Sequence, residues 1–204
     1  MELILIRHGE STANVAHLTA GRLDVSLSDN GRNQVHHLAN YLPGMLHSRK
    51  VVKLVSSPLL RARETATLLD LGIPVDIDER WVEMDYGDFD GRPIDSISRS
   101  FWESWMSDIK FTPPNGESVA SVGVRVREAC NEVASASYGD NEVVIAVSHV
   151  SPIKAAISWA LGVDDSASWH MHLDTAALSS ITVIEGKPLM NRFNVNLFLW
   201  RAGL

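Results

Sequence analysis

Short runs in which nearly every position is apolar alternate along this chain with longer stretches whose apolar residues recur every three or four positions. Leu3-Ile4-Leu5-Ile6, Val51–Val55 and Glu142–Val147 are runs of the first kind and predict fully buried strands. Ser28–Leu42 aligns Val35, Leu38, Ala39 and Leu42 on one helical face and predicts a helix that stops at Pro43-Gly44. Ser57-Pro58, an N-cap and first-turn pair, predicts a second helix reaching about Asp70. A polar middle with two glycines, Trp81 to Arg92, precedes two more helical stretches, Asp95–Ser107 and Glu117–Ala136, which Pro113-Pro114-Asn115-Gly116 separates. Ser151-Pro152 starts a further helix, and Ala177–Ile184 and Leu189–Leu197 read as two strands joined around Glu185-Gly186-Lys187-Pro188. Buried strands interleaved with helices predict an α/β fold: a three-layer α/β/α arrangement with a mostly parallel central sheet flanked by helices.

Composition narrows the picture without redirecting it. The chain has 204 residues, 45% hydrophobic and 21% charged, with no internal repeat or linker-like tract, so residues 1–204 are expected to form a single domain. The single cysteine, Cys130, rules out an intrachain disulfide framework and fits a reducing compartment. No apolar run approaches the roughly 20 residues that span a bilayer. Met1–Ile6 contains Glu2 and runs straight into Arg7-His8, unlike a secretory leader, so a cytoplasmic protein is expected. A net charge of −7 gives no electrostatic reason to bind nucleic acid or anionic membranes. It also makes a local cluster of basic residues more telling.

Such a cluster follows from the strand positions. Arg7-His8-Gly9 comes directly after the first strand, Arg61 falls in the first turn of the helix after Val51–Val55, and His149 ends the strand Glu142–Val147. In open α/β sheets ligands bind beyond the carboxyl ends of the strands, and helix N-termini there favour anions. Arg7, His8, Arg61 and His149 would then face one anion-sized space. Taken singly, each also has an ordinary structural reading, as a surface arginine or a hydrogen-bonded core histidine.

Leu5-Ile6-Arg7-His8-Gly9-Glu10-Ser11-Thr12-Ala13-Asn14 resembles the signature of the histidine phosphatase superfamily, which includes the cofactor-dependent phosphoglycerate mutases. The resemblance continues through Gly21-Arg22-Leu23-Asp24, Leu27-Ser28-Asp29-Asn30-Gly31, Ser56–Ala66, Glu83-Met84-Asp85-Tyr86-Gly87, Gly116-Glu117-Ser118 and Val147-Ser148-His149, in family order and over most of the chain. It implies a phosphoglycerate-mutase-like fold and a phosphomonoester hydrolase with neither metal nor cofactor, acting on a small phosphorylated metabolite. His8 would be the nucleophile that becomes a phosphohistidine, and Glu83 the proton donor. Arg7, Arg61 and His149 would form the phosphate pocket, with Asn14, Gly21 and Val150 beside it. The chemistry suits these roles: a neutral imidazole is nucleophilic near pH 7, and guanidinium forks match phosphate oxygens. A carboxyl group can protonate the leaving alkoxide and then serve as base toward water.

Two departures bear on substrate. Val150 follows the second histidine where many members have glycine, and Ala20 precedes Gly21 where mutases often carry a hydroxyl residue. Together with the short chain these favour hydrolysis over phosphoryl shuttling. A cofactor-dependent phosphoglycerate mutase, or an inactive relative binding phosphoesters or proteins, remains the alternative. Val147–Lys154 resembles a branch with α-ribazole-phosphate phosphatase-like proteins, which points to α-ribazole phosphate or a sugar phosphate. Phe101, Trp102 and Trp105 suit either a wall over the substrate or plain core packing. His170 and His172 alternate in a segment expected to be extended and suit a pocket rim better than a metal site. His36-His37 is expected on a solvated helix face, Cys130 in a buried one, and exposed tail strands allow a homodimer.

Overall fold

The computed structural model describes residues 1–198. Six strands form one sheet: β1 (Glu2–Arg7), β2 (Lys50–Ser56), β3 (Val75–Ile77), β4 (Glu142–Ser148), β5 (Leu178–Ile184) and β6 (Lys187–Val195). Their spatial order is β3-β2-β4-β1-β5-β6, parallel from β3 to β1 and antiparallel across β1, β5 and β6. Alternation along the central strands feeds two cores. Leu3 and Leu5 of β1, with Val144 and Ala146 of β4, face one layer of helices; Ile4 and Ile6, with Val143, Ile145 and Val147, face the other. Both faces are apolar, which is why β1 and β4 read as unbroken hydrophobic runs.

The helices α1 (Thr12–Val15), α2 (Asp29–Leu46), α3 (Leu60–Leu68), α4 (Arg99–Ser107), α5 (Val119–Ser135) and α6 (Val150–Leu161) flank this sheet. The β1-side core of Leu3 and Leu5 takes Val122, Val126 and Cys130 of α5 and Ile153 and Ile157 of α6. The opposite core takes Val35, Leu38 and Leu42 of α2 and Ala62 and Ala66 of α3. No helix among the described residues is long and apolar enough to cross a membrane.

Several expected boundaries move, each for a local reason. Helix α2 does not stop at Pro43-Gly44 but runs through Pro43 to Leu46, whose side chain is buried beside Leu42. Packing of that last turn outweighs the missing proline N–H. Ser57 does not cap α3: the helix begins at Leu60, whose N–H donates to Asp24 Oδ1 at 2.6 Å. Ser151 does not cap α6 either, because the helix starts one residue earlier, with His149 in the capping position. The Asp95–Ser107 stretch divides into a 3₁₀ turn, Ile94–Ser96, and α4, which Ser98 caps. Strand β6 ends at Val195 instead of Leu197, and the segment holding His170 is a 3₁₀ helix, Asp165–His170, not an extended one.

The start of α2 is pressed against the segment that follows β1. A Cβ on Gly31 would lie 1.9 Å from the Glu10 carbonyl oxygen, and one on Gly9 would lie 2.6 Å from the Gly31 carbonyl oxygen. Helix propensity alone favours alanine over glycine by about 1 kcal/mol. Here the obstacle is backbone, which cannot yield without moving the Arg7–Ser11 loop, so overpacking of roughly 1–3 kcal/mol or more prevails. Gly31→Ala should lower the melting temperature by about 4–8 °C in a thermal scan, corresponding to roughly 2 kcal/mol. An unchanged or higher value would contradict this packing.

Candidate active site

The carboxyl ends of β2, β4 and β1 are adjacent and place Ser57, His149 and His8 side by side. His8 N–H donates to Ser148 O and Ser57 N–H to Val147 O, both at 3.0 Å, extending the sheet ladder by one bond at each strand end. On its other side His8 O accepts from Ala176 N at 3.0 Å. The His8 and His149 rings lie 5.0 Å apart at 58°.

His8 is 4% exposed, and its Nδ1 lies 2.7 Å from Gly9 O. A carbonyl can only accept, so the ring proton resides on Nδ1 and Nε2 keeps its lone pair. Burial, then the charges of Arg61 and Arg7, hold the pKa of His8 well below the usual histidine range. His149, fully buried, is lowered in the same way by burial and by Arg61, His8 and Arg7. Its Nε2 is 2.7 Å from Ser57 Oγ, while its Nδ1 is buried with no partner.

Arg61, 1% exposed, is held by backbone alone: its guanidinium donates to Leu23 O at 2.8 Å, Ala20 O at 2.9 Å and Gly21 O at 3.0 Å. Arg7 donates to Leu173 O at 2.5 Å, and its Nε is buried without a partner. Neither guanidinium forms an ion pair with a carboxylate among the described residues. The carbonyls that grip Arg61 are themselves tethered, because the Asp90 carboxylate accepts from the N–H groups of Gly21, Arg22 and Leu23 at 2.7–2.8 Å.

Glu83, 4% exposed, supplies the carboxyl group. Its Oε2 accepts from Val150 N–H at 3.1 Å and its Oε1 from Ser151 N–H at 3.2 Å, so this side chain caps α6 from another part of the chain. Arg125 holds the Glu83 carbonyl at 3.4 Å while forming a two-pronged pair with Glu117 at 2.9 and 3.0 Å.

Arg7, His8, Arg61, Glu83 and Val150 line one cavity of about 170 Å³. Asn14 borders it too, but its Oδ1 accepts from the Ser11 N–H and hydroxyl, leaving the amide NH₂ to face a ligand. Gly21 is not on the wall: its N–H is committed to Asp90, and its part is to offer a carbonyl to Arg61. His149 sits behind the wall, against His8. Sequence reading missed Ser57, Asp90 and Thr65, whose hydroxyl accepts from Gly9 N–H at 3.1 Å and donates to Arg61 O at 2.8 Å. Ser57 and Thr65 stood inside the recognised Ser56–Ala66 block; Asp90 carried no signal, since its partners are backbone groups.

Trp105 is core, with Tyr86 against its edge at 5.5 Å, and Trp102 stacks on it at 5.3 Å and 7° while reaching the cavity. His170 and His172 are exposed, and His172 pairs with Asp174 at 3.0 Å. No group of three or more His, Cys, Asp or Glu among the described residues is placed to hold a metal. His37, expected on a solvated face, packs edge-on against Phe198 at 5.4 Å.

An imidazole with a free Nε2, flanked by buried arginines and a carboxyl group, is a constellation for binding and attacking a phosphoryl group. Residues 3–196 match the model of the histidine phosphatase superfamily (branch 1), and the chain belongs to that family. Over nearly its whole length it is a histidine-phosphatase-type enzyme domain. Phosphoserine phosphatase 1 of Hydrogenobacter thermophilus is 32% identical over 98% of this chain and 94% of its own. Adenosylcobalamin/alpha-ribazole phosphatase of Salmonella typhimurium is 29% identical over 98% and 99%. The solved structure of a mycobacterial glucosyl-3-phosphoglycerate phosphatase superposes with a TM-score of 0.82 at 27% identity, covering 95% of this chain and 98% of its own. A bifunctional protein of Mycobacterium tuberculosis is 32% identical over 182 residues, and this chain spans about half (49%) of its length.

Below the ordinary histidine pKa of about 6.5, the unfolded chain binds protons at His8 and His149 that the native protein refuses. Stability therefore rises with pH up to about 6.5, by at most about 1.4 kcal/mol per pH unit for each ring. Urea unfolding between pH 5 and 7 should show this slope, and His149→Gln should flatten it; an equally steep slope in the variant would contradict the assignment.

Proposed function

We propose that this chain is a phosphomonoester hydrolase that needs no metal and transfers the phosphoryl group of a small metabolite to His8. The observation that carries this reading is the geometry at His8: Nδ1 lies 2.7 Å from Gly9 O, which leaves Nε2 free beside two arginines that form no ion pair among the described residues. A phosphate dianion would supply the missing negative charge.

In the first half-reaction Nε2 of His8 attacks phosphorus as the ester P–O bond breaks. Arg7 and Arg61 neutralise the charge on the non-bridging oxygens, and Glu83 gives its proton to the departing alkoxide. In the second, the Glu83 carboxylate takes a proton from water as that water attacks the phosphohistidine, returning His8 neutral and releasing phosphate. The Gly9 carbonyl, accepting from Nδ1–H, offsets part of the positive charge that the ring develops on phosphorylation.

The relatives named as phosphoserine, alpha-ribazole and glucosyl-3-phosphoglycerate phosphatases support hydrolysis as the outcome. The early loop agrees: Ala20 on the cavity wall has no hydroxyl, and the Thr19 hydroxyl is turned to the carbonyls of Phe89 and Arg92. The buried, free Cys130 suits a reducing compartment such as the cytoplasm.

Hydrolysis of 4-nitrophenyl phosphate in excess chelator should proceed with the wild type, be inhibited by vanadate, and vanish in His8→Ala. Turnover that requires added divalent metal, or that survives His8→Ala, would overturn the mechanism. Glu83→Gln should slow an alkyl phosphate by about 10²–10⁴-fold. In kcat/KM, which reports phosphohistidine formation and excludes the later hydrolysis step that also uses Glu83, it should slow 4-nitrophenyl phosphate far less, because that leaving group departs without a proton. Equal losses in kcat/KM on both esters would remove Glu83 from the acid role.

A further inference from the structure

Beyond the phosphate cavity lies a second one of about 190 Å³, and Tyr86, Trp102 and Val150 border both. It adjoins, through Tyr86, Trp102 and Val150, the cavity that Glu83 lines, and its walls are largely aromatic and apolar. Lys154, partly buried one turn down α6 from Val150, also lines it. This ammonium group has no ion pair and no hydrogen bond among the described residues, and burial lowers its pKa. The carboxylate on that wall, Asp165, is already satisfied, since both its oxygens accept from Arg127 at 2.7 and 2.8 Å. Trp105 and Trp169 add two more indole rings to its wall. The cavity thus holds a cation that forms no ion pair and is drawn only at longer range toward Glu83, and the acid on its own wall is neutralised.

We propose that this cavity is the leaving-group subsite and that it selects phosphomonoesters whose far end carries a carboxylate, bound by Lys154. The inference rests on the phosphatase reading above and adds a specificity residue to it. Four residues of helix separate Val150 from Lys154, a rise of about 6 Å. A flat spacer such as a benzene ring covers that distance and would lie along Trp102. A charge pair formed out of water with a single lysine is worth more than its exposed equivalent, so the selection should be at least about tenfold.

The test compares 4-carboxyphenyl phosphate with its neutral isostere 4-carbamoylphenyl phosphate, using unsubstituted phenyl phosphate to establish phosphatase activity. Wild type should favour the carboxylate in kcat/KM by about tenfold or more, chiefly through KM. Lys154→Met should erase that ratio and Lys154→Arg should keep most of it. If Lys154 served only to hold α6 or to bias the nearby Glu83, substitution would change both esters alike and leave the ratio intact, which would overturn the proposal. Turnover of phenyl phosphate with no preference between the two esters in wild type would overturn it as well, while leaving the phosphatase reading in place. No turnover of any of the three esters would count against that reading and the inference with it.

Discussion

Arg61 is enclosed by protein and hydrogen-bonded only to carbonyls, Arg7 beside it has one carbonyl and a buried, unpartnered Nε, and Glu83 attracts both without forming an ion pair. Removing a cation from water without giving it an ion pair costs several kcal/mol. The fold carries that cost, and the rest of the site follows from it. Burial first, and the arginine charges after it, discourage protonation of His8 and His149, so the binding groups help to keep the nucleophile neutral. Ligand affinity and nucleophile activation are one electrostatic arrangement, and weakening either arginine would disturb both.

Holding such an arrangement requires supports with no freedom to relax. Arg61 is gripped by the 20–23 loop, which Asp90 ties down through three backbone N–H groups. Thr65 links the helix of Arg61 to Gly9, next to the nucleophile. Glu83 is held in front by the first amides of α6 and behind by Arg125. Each support joins segments far apart in sequence, so the geometry exists only in the completed fold. This is electrostatic preorganisation built largely from main-chain groups.

That construction explains what could and could not be read beforehand. Strands β1 and β4 announce themselves because they are buried on both faces; β2, expected to be fully buried, is so only from Leu54 to Ser56, yet its apolar run marks it, and from the three strand ends the convergence of His8, Arg61 and His149 follows by topology. Strand β3, only Val75–Ile77, is too short to leave a periodic trace and lies at an edge where little packing constrains it. Cap residues misled for a different reason. Ser57 and Ser151 have the right chemistry at the right place, but Ser57 turns to His149, and Asp24 and Glu83 arrive from elsewhere to receive the helix amides. Tertiary partners outbid local ones, and sequence patterns report only the local offer. The second cavity was equally silent: Lys154 stood in the quoted Val147–Lys154 run, yet nothing in spacing says which charges will lack a mate.

The nucleophile's own backbone is stitched on both sides, to Ser148 through its N–H and to Ala176 through its carbonyl, at the middle of the sheet. An amide so placed is released only when the central strands part. Hydrogen exchange at His8 would then be governed by global opening, and the site would not fray ahead of the molecule. Destabilised variants would accordingly divide between a fully competent population and an unfolded one, so that loss of activity on heating would track loss of structure.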